Sequence, residues 1–153
     1  MTMPLPQLNF PTFDFRIYEK EGKPLIFDSA RKKYVRLTPE EWVRQNMVQY
    51  LHQVKAYPLS LICIEHVLQV NRLEKRADIL VYNSKTKPAL LVECKASSVK
   101  VSQEVFEQAA RYNLALQVEY LVVTNGLIHY CAHINHESQK ITFQENIPEY
   151  TEI

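Results

Sequence analysis

Two short apolar stretches constrain this chain most: Arg76-Ala-Asp-Ile-Leu-Val-Tyr-Asn83 and Pro88-Ala-Leu-Leu-Val-Glu-Cys-Lys95, separated by Ser84 to Lys87. Each has the length and apolar content of a strand, and the polar spacer predicts a hairpin. Ile79-Leu80-Val81 and Leu90-Leu91-Val92 are apolar at consecutive positions, so both faces are covered and the hairpin is central in its sheet. With the turn centred between Lys85 and Thr86, opposed residues sum to 171, which sets Tyr82 against Ala89, Leu80 against Leu91 and Asp78 against Glu93. Directly opposed residues lie about 5 Å apart on one face. Lys95 joins that face because strand side chains alternate with period two. Two carboxylates and an ammonium therefore converge at one end of the hairpin.

Like charges that close are costly unless a cation lies between them, and a buried charge needs a partner or a metal. Oxygen donors of this kind suit Mg²⁺ or Mn²⁺ rather than zinc. The plainer alternative is a sheet end facing water with a simple Glu93–Lys95 pair. The hairpin alone leaves both open.

The chain has 153 residues, enough for one domain with a real core, and its 46% hydrophobic and 23% charged content is that of a globular protein. The formal net charge of +1 gives no global basic signature for nucleic acid. The acids Glu137, Glu145, Glu149 and Glu152 lie in the last 17 residues against Lys140, which leaves the first 136 at +4. Cys63, Cys94 and Cys131 lie far apart without CxxC spacing and read as small buried hydrophobes in a reducing compartment. Met1-Thr-Met-Pro-Leu-Pro lacks the regions of a signal peptide, and no apolar run approaches a membrane span. A cytoplasmic protein is expected.

Around the hairpin, residues 1–12 read as an extended arm. Phe13–Tyr18 and Pro24–Phe27 read as an N-terminal hairpin turning at Glu21-Gly22, and Tyr34–Leu37 as a third short strand. Thr38-Pro-Glu-Glu41 starts a helix: Thr38 caps, Pro39 fits the first turn and Glu41 completes a capping box. Val43, Met47, Tyr50, Leu51 and Val54 carry its buried face to Tyr57-Pro58. Leu61–Val70 is a strand, and Asn71–Lys75 a polar turn into the hairpin. A second helix runs from Gln103 to Gln117, capped by Ser102, with Val105, Phe106, Ala109, Ala110 and Leu114 inward. Tyr120–Thr124 is a core strand, Asn125-Gly126 a hairpin turn, Leu127–Ala132 its partner and Lys140–Phe143 an edge strand. This is a single domain, with an arm and β extension over 1–37, a core over 38–132 and a strand with acidic tail over 133–153.

Asp78, then fourteen residues, then Glu93-Cys94-Lys95 resembles the PD-(D/E)xK nuclease superfamily, with Ala77 where that pattern has proline. Residues 39–124 follow its order of helix, three strands, helix, strand. Gln108-Ala-Ala-Arg-Tyr112 resembles the QxxxY element of its RecB-type branch. Leu37–Gln45, the Arg76-Ala-Asp78 start and Tyr120–Gly126 more narrowly resemble the nuclease-like N-terminal domain of type I restriction enzyme R subunits. The resemblance implies an α/β fold: a restriction-endonuclease-like core (αβββαβ) with a mixed central sheet, here with an N-terminal β-hairpin addition.

It also implies a Mg²⁺- or Mn²⁺-dependent endonuclease hydrolysing DNA in restriction or repair. Asp78, Glu93 and the Cys94 carbonyl would hold the metal, and Lys95 would orient or deprotonate the attacking water. Glu41 matches the first-helix acid of such sites, though its cap role also explains it. Gln108 and Tyr112 share a helix face and would support Lys95 or touch nucleic acid; the alternative is the polar border of a core helix. Arg72, Lys75 and Arg76 are candidate phosphate contacts; Arg31, Lys32, Lys33 and Arg36 read more simply as a solvated face. Glu65 is expected to pair with a neighbouring Lys or Arg. His52, His66, His129, His133 and His136 show no metal-ligand spacing. The implied partners are DNA, restriction-modification or helicase subunits, and a second copy of the chain. The rival reading is an idle nuclease-fold module that binds DNA or a protein within a restriction-type complex.

Overall fold

A computed structural model describes residues 5–70 and 72–153, apart from the side chains of Leu68, Val70, Leu73, Lys75, Tyr112, Leu114 and Ala115. The expected roles of Lys75 and Tyr112, and the Asn71 end of the predicted turn, lie outside the described residues. The elements are β1 (Ile17–Lys20), β2 (Lys23–Asp28), β3 (Lys33–Arg36), α1 (Pro39–Gln49), β4 (Ile62–Val70), β5 (Leu73–Tyr82), β6 (Pro88–Cys94), α2 (Gln103–Leu116), β7 (Tyr120–Thr124), β8 (His129–Asn135) and β9 (Lys140–Gln144). They form an antiparallel sheet β1-β2-β3 and a six-stranded sheet β4-β5-β6-β7-β8-β9. Among the described strands only β6 and β7 run parallel, with α2 as the crossover, so the large sheet is mixed as expected. No helix among the described residues is long and apolar enough to cross a membrane.

The hairpin is central, as its two-sided apolarity requires. On one face Ile79, Val81, Leu90, Val92 and Cys94 pack with Val43, Met47 and Val48 of α1 and with Leu51 just beyond it. On the other, Ala77, Leu80 and Leu91 pack with Ala109 of α2 and with Val101, Val118 and Leu121. Ser102 caps α2, accepting from the Val105 N–H at 3.3 Å, and Gln117 ends it in the left-handed conformation.

Several boundaries differ from the sequence reading, among them β8, which starts at His129 and not Leu127 and runs on to Asn135. β1 begins at Ile17, because Phe13 and Phe15 leave the sheet line and Phe15 packs edge-on against Trp42 of α1 at 5.1 Å. α1 gives way to a π-helical turn at Tyr50–Val54, closed by the Lys55 N–H to the Tyr50 carbonyl, and the wider turn rotates Val54 out to solvent. β5 begins three residues earlier than expected, at Leu73, so Val70 already opposes Leu73, and Arg72 takes φ +66. The ladder β5–β6 slips between Val81 and Tyr82, so Tyr82 opposes Pro88 and not Ala89; proline has no N–H for the ladder. The turn is organised by the Asn83 side chain, which accepts from the Lys85 and Lys87 N–H groups. The tail is docked: Ile147 is buried in the α1-side core, and the Tyr57 hydroxyl donates to the Pro148 carbonyl at 2.9 Å.

Candidate active site

The 171 register holds for Leu80 against Leu91 and for Ile79 against Val92, then the ladder stops one rung short of Asp78 and Glu93. On the other side of Asp78 the β4–β5 ladder passes from Ile64↔Ile79 to His66↔Ala77, leaving Glu65 and Asp78 without a rung. Glu65 takes φ +53, a left-handed backbone that a side chain adopts only under constraint from its surroundings. The alternation of β5 breaks at the same point. Ala77 packs on the α2 face, whereas Ile79, two residues on, packs on the α1 face. This local kink turns the Asp78 carboxylate toward α1, where plain alternation would have sent it the way of Leu80.

Both oxygens of Asp78 are engaged. Oδ2 accepts from the Cys94 N–H at 2.8 Å, tying β5 to the end of β6. Oδ1 accepts from Arg44 Nη2, also at 2.8 Å. Arg44 was not singled out by sequence. Its Nη1 donates to Glu41 Oε1 at 2.7 Å, and Glu65 and Glu40 lie 3.5 and 3.6 Å from its guanidinium. Burial works against the charge on Arg44, but the bond to Asp78 and the fields of Glu41 and Asp78 outweigh it and raise its pKa.

Glu41 continues the chain of ion pairs. Thr38 caps α1 through the Glu41 N–H, but the reciprocal half of the box is not what the Glu41 side chain does. Its carboxylate accepts from Arg31, Arg44 and Gln45. Arg31 in turn holds Asp28, which is fully buried and also receives Gln45 Nε2 and the Ala30 and Arg31 N–H groups. Arg31 is therefore neither a solvated charge nor a free phosphate contact. Lys32, Lys33 and Arg36 are exposed. Glu65 pairs with Arg31, Arg44 and Arg76, as expected of it.

Glu40, one residue before Glu41, also faces the hairpin end. Its carboxyl pKa is raised by burial and by Asp78, against the opposing pull of Arg44 and Lys95. Glu93 is pushed up to about 7 by burial first and by Asp78 next, with Lys95 opposing from 3.6 Å. Burial and the Asp78 field raise the Cys94 thiol, so this cysteine is no nucleophile and its contribution is its backbone. Burial and the mutual fields of Asp78, Glu93 and Glu40 thus disfavour full ionisation of the hairpin end. Among the described residues no three His, Cys, Asp or Glu gather into a ready-made metal cage. Two carboxylates and a carbonyl are nonetheless a donor set that fits Mg²⁺, which keeps several waters.

A family comparison bears directly on this hairpin. The family described as type I restriction enzyme R protein N terminus matches residues 39–148, from the first residue of α1 to beyond β9. The chain belongs to the type I restriction enzyme R protein N-terminus family. A structure described as a fragment of an HsdR subunit of a type I restriction enzyme, from Vibrio vulnificus YJ016, matches with a TM-score of 0.53 and 21% identity, over 76% of this chain and 24% of that one. The R-protein fold is therefore shared, and this chain spans about a quarter of the length of that relative. No curated protein matches the chain.

In this R-protein domain α2 places Gln108 on its exposed side, while Ala109 next to it is buried. Arg76 is mostly exposed and leans on Glu65 at 3.5 Å, and Arg72 is exposed at the β4–β5 turn. Three of the five histidines make structural contacts: His129 bridges Thr124 and the Asn9 carbonyl, His52 meets the Tyr57 carbonyl and His136 the Val118 carbonyl.

Proposed function

We propose that this domain is a metal-dependent deoxyribonuclease, built on a restriction-endonuclease-like core and acting in the cytoplasm with other restriction subunits. The observation that carries the reading is Glu93: a carboxyl lifted to about 7 by burial and Asp78, with the Lys95 ammonium 3.6 Å away. Perturbed groups of this kind concentrate at reactive sites. The order α1, β4, β5, β6, α2, β7 and the family membership support the same conclusion.

In this reading Asp78, Glu93 and the Cys94 carbonyl hold Mg²⁺ or Mn²⁺. A bound divalent ion lowers the pKa of water and neutralises charge building on a phosphate. The chain's own residues supply position and proton control. The Cys94 N–H fixes Asp78 against the end of β6, and Lys95, paired with Glu93, orients or deprotonates the attacking water. Arg76 and Arg72 contact the DNA backbone, and Gln108, on the exposed side of α2, supports Lys95 or contacts that backbone too. Glu41 acts through Arg44 and not by touching the reacting atoms. A second reading, an idle module that docks on DNA or on a partner subunit, draws on Arg44, which occupies one oxygen of Asp78 at 2.8 Å. Plasmid nicking by the purified protein with Mn²⁺ separates the two: activity lost in Lys95→Ala supports the nuclease, and neither cleavage nor Mn²⁺ binding supports the docking module.

A further inference from the structure

We propose that Arg44 is a resident counter-ion of the candidate metal site, holding Asp78 in place of a divalent cation and yielding it to that cation. This rests on the metal-dependent reading above. Asp78 is buried, and a lone carboxylate in that position requires a positive partner. Arg44 Nη2 supplies one at 2.8 Å. A divalent ion on Asp78 would face this guanidinium as a like charge, so the two compete for one carboxylate.

The geometry gives Arg44 somewhere else to go. Glu41 holds its Nη1 at 2.7 Å, Glu65 lies 3.5 Å from Nη1, and Glu40 lies 3.6 Å from Nη2 itself. Among the described residues its buried Nε has no hydrogen-bond acceptor, so the guanidinium has a donor to spare. A small rotation from Asp78 toward Glu40 keeps the charge paired without leaving the pocket. Arg31, one link further along, is held by Asp28 at 2.6 Å, Glu41 at 2.8 Å and Glu65 at 3.3 Å, none of which is a ligand of the candidate metal site. Arg44 is thus a positioning residue that exchanges partners, whereas Arg31 keeps the same partners throughout.

The test measures Mn²⁺ affinity by calorimetry and the Mn²⁺-induced rise in Tm, on the whole chain. Arg44→Gln is expected to melt lower than wild type in EDTA, yet to bind Mn²⁺ roughly tenfold tighter and gain more Tm from it, because a competing charge is gone. Arg44→Lys keeps a charge but loses the fork that spans Asp78 and Glu41, so a smaller gain in affinity is expected; it also serves if the glutamine variant does not fold. Arg31→Gln is expected to lower Tm without changing Mn²⁺ affinity. Affinity equal to or weaker than wild type in both Arg44 variants overturns the proposal and leaves the nuclease reading standing. No Mn²⁺ binding by wild type, by either Arg44 variant or in their thermal shifts overturns both.

Discussion

Replacing Glu93 with Gln removes the one carboxyl at the hairpin end that the fold holds far from its ordinary ionisation. In the folded protein Glu93 loses its proton near pH 7 and not near 4.5, because it is buried and faces Asp78, with Lys95 only partly compensating. A pKa raised on folding contributes stability that is fully present below the unfolded value and is lost as pH rises through the folded one. Here the loss runs from about pH 4.5 to about pH 7. The interval is worth about 3 kcal/mol, and the side chain is only 19% exposed, so solvent screening discounts it little. Glutamine cannot ionise. The difference in unfolding free energy between Glu93→Gln and wild type should therefore move in favour of the variant by about 3 kcal/mol between pH 4.5 and pH 7.5. In a domain of this size that is about 6–12 °C of relative Tm. Urea unfolding at four pH values with EDTA present measures it, and working with the difference cancels the titration of acids that do not interact with Glu93. A difference that stays constant with pH, or moves against the variant, refutes the strained-carboxyl account.

Two further outcomes follow from the ion-pair network and from the arm. Arg31→Met leaves fully buried Asp28 without its guanidinium and Glu41 with Arg44 and Gln45 alone, and should cost about 3–5 kcal/mol in denaturant unfolding. Gly126→Ala places a methyl 2.8 Å from Leu8 and 3.1 Å from Val43 at a backbone φ of +86. It should lower stability by about 1–3 kcal/mol and expose the arm to limited proteolysis, since the Gly126 carbonyl also holds the Asn9 N–H at 2.7 Å.

The hairpin itself was legible because apolar residues at consecutive positions admit few homes besides the middle of a covered sheet, and Ile79–Val81 with Leu90–Val92 lie there. Ser102 and Thr38 act as caps because their hydroxyls must serve a free N–H at a helix start. The direction of Asp78 was not legible. It depends on a left-handed residue at Glu65, and nothing in a glutamate announces positive φ. Arg44 was hidden for another reason: three residues after Glu41 it reads as an exposed intrahelical pair. Only the folded chain shows that the polar flank of α1 is itself covered, with Asp28 on Gln45 and Ser29 on Gln49, so that Glu41, Arg44, Gln45 and Gln49 are all buried. Glu40 and Glu41 differ by one position, which is about 100° around a helix, and helix periodicity could not choose between them without the entry angle of α1.

Metal-dependent nicking tests the central claim most directly. Supercoiled plasmid is incubated with Mn²⁺ and either wild type or Lys95→Ala, matched for folding by circular dichroism. The account predicts nicked and linear DNA with wild type, none with Lys95→Ala, and none in EDTA. Equal nicking by both proteins, or none by wild type that demonstrably binds Mn²⁺, would contradict it.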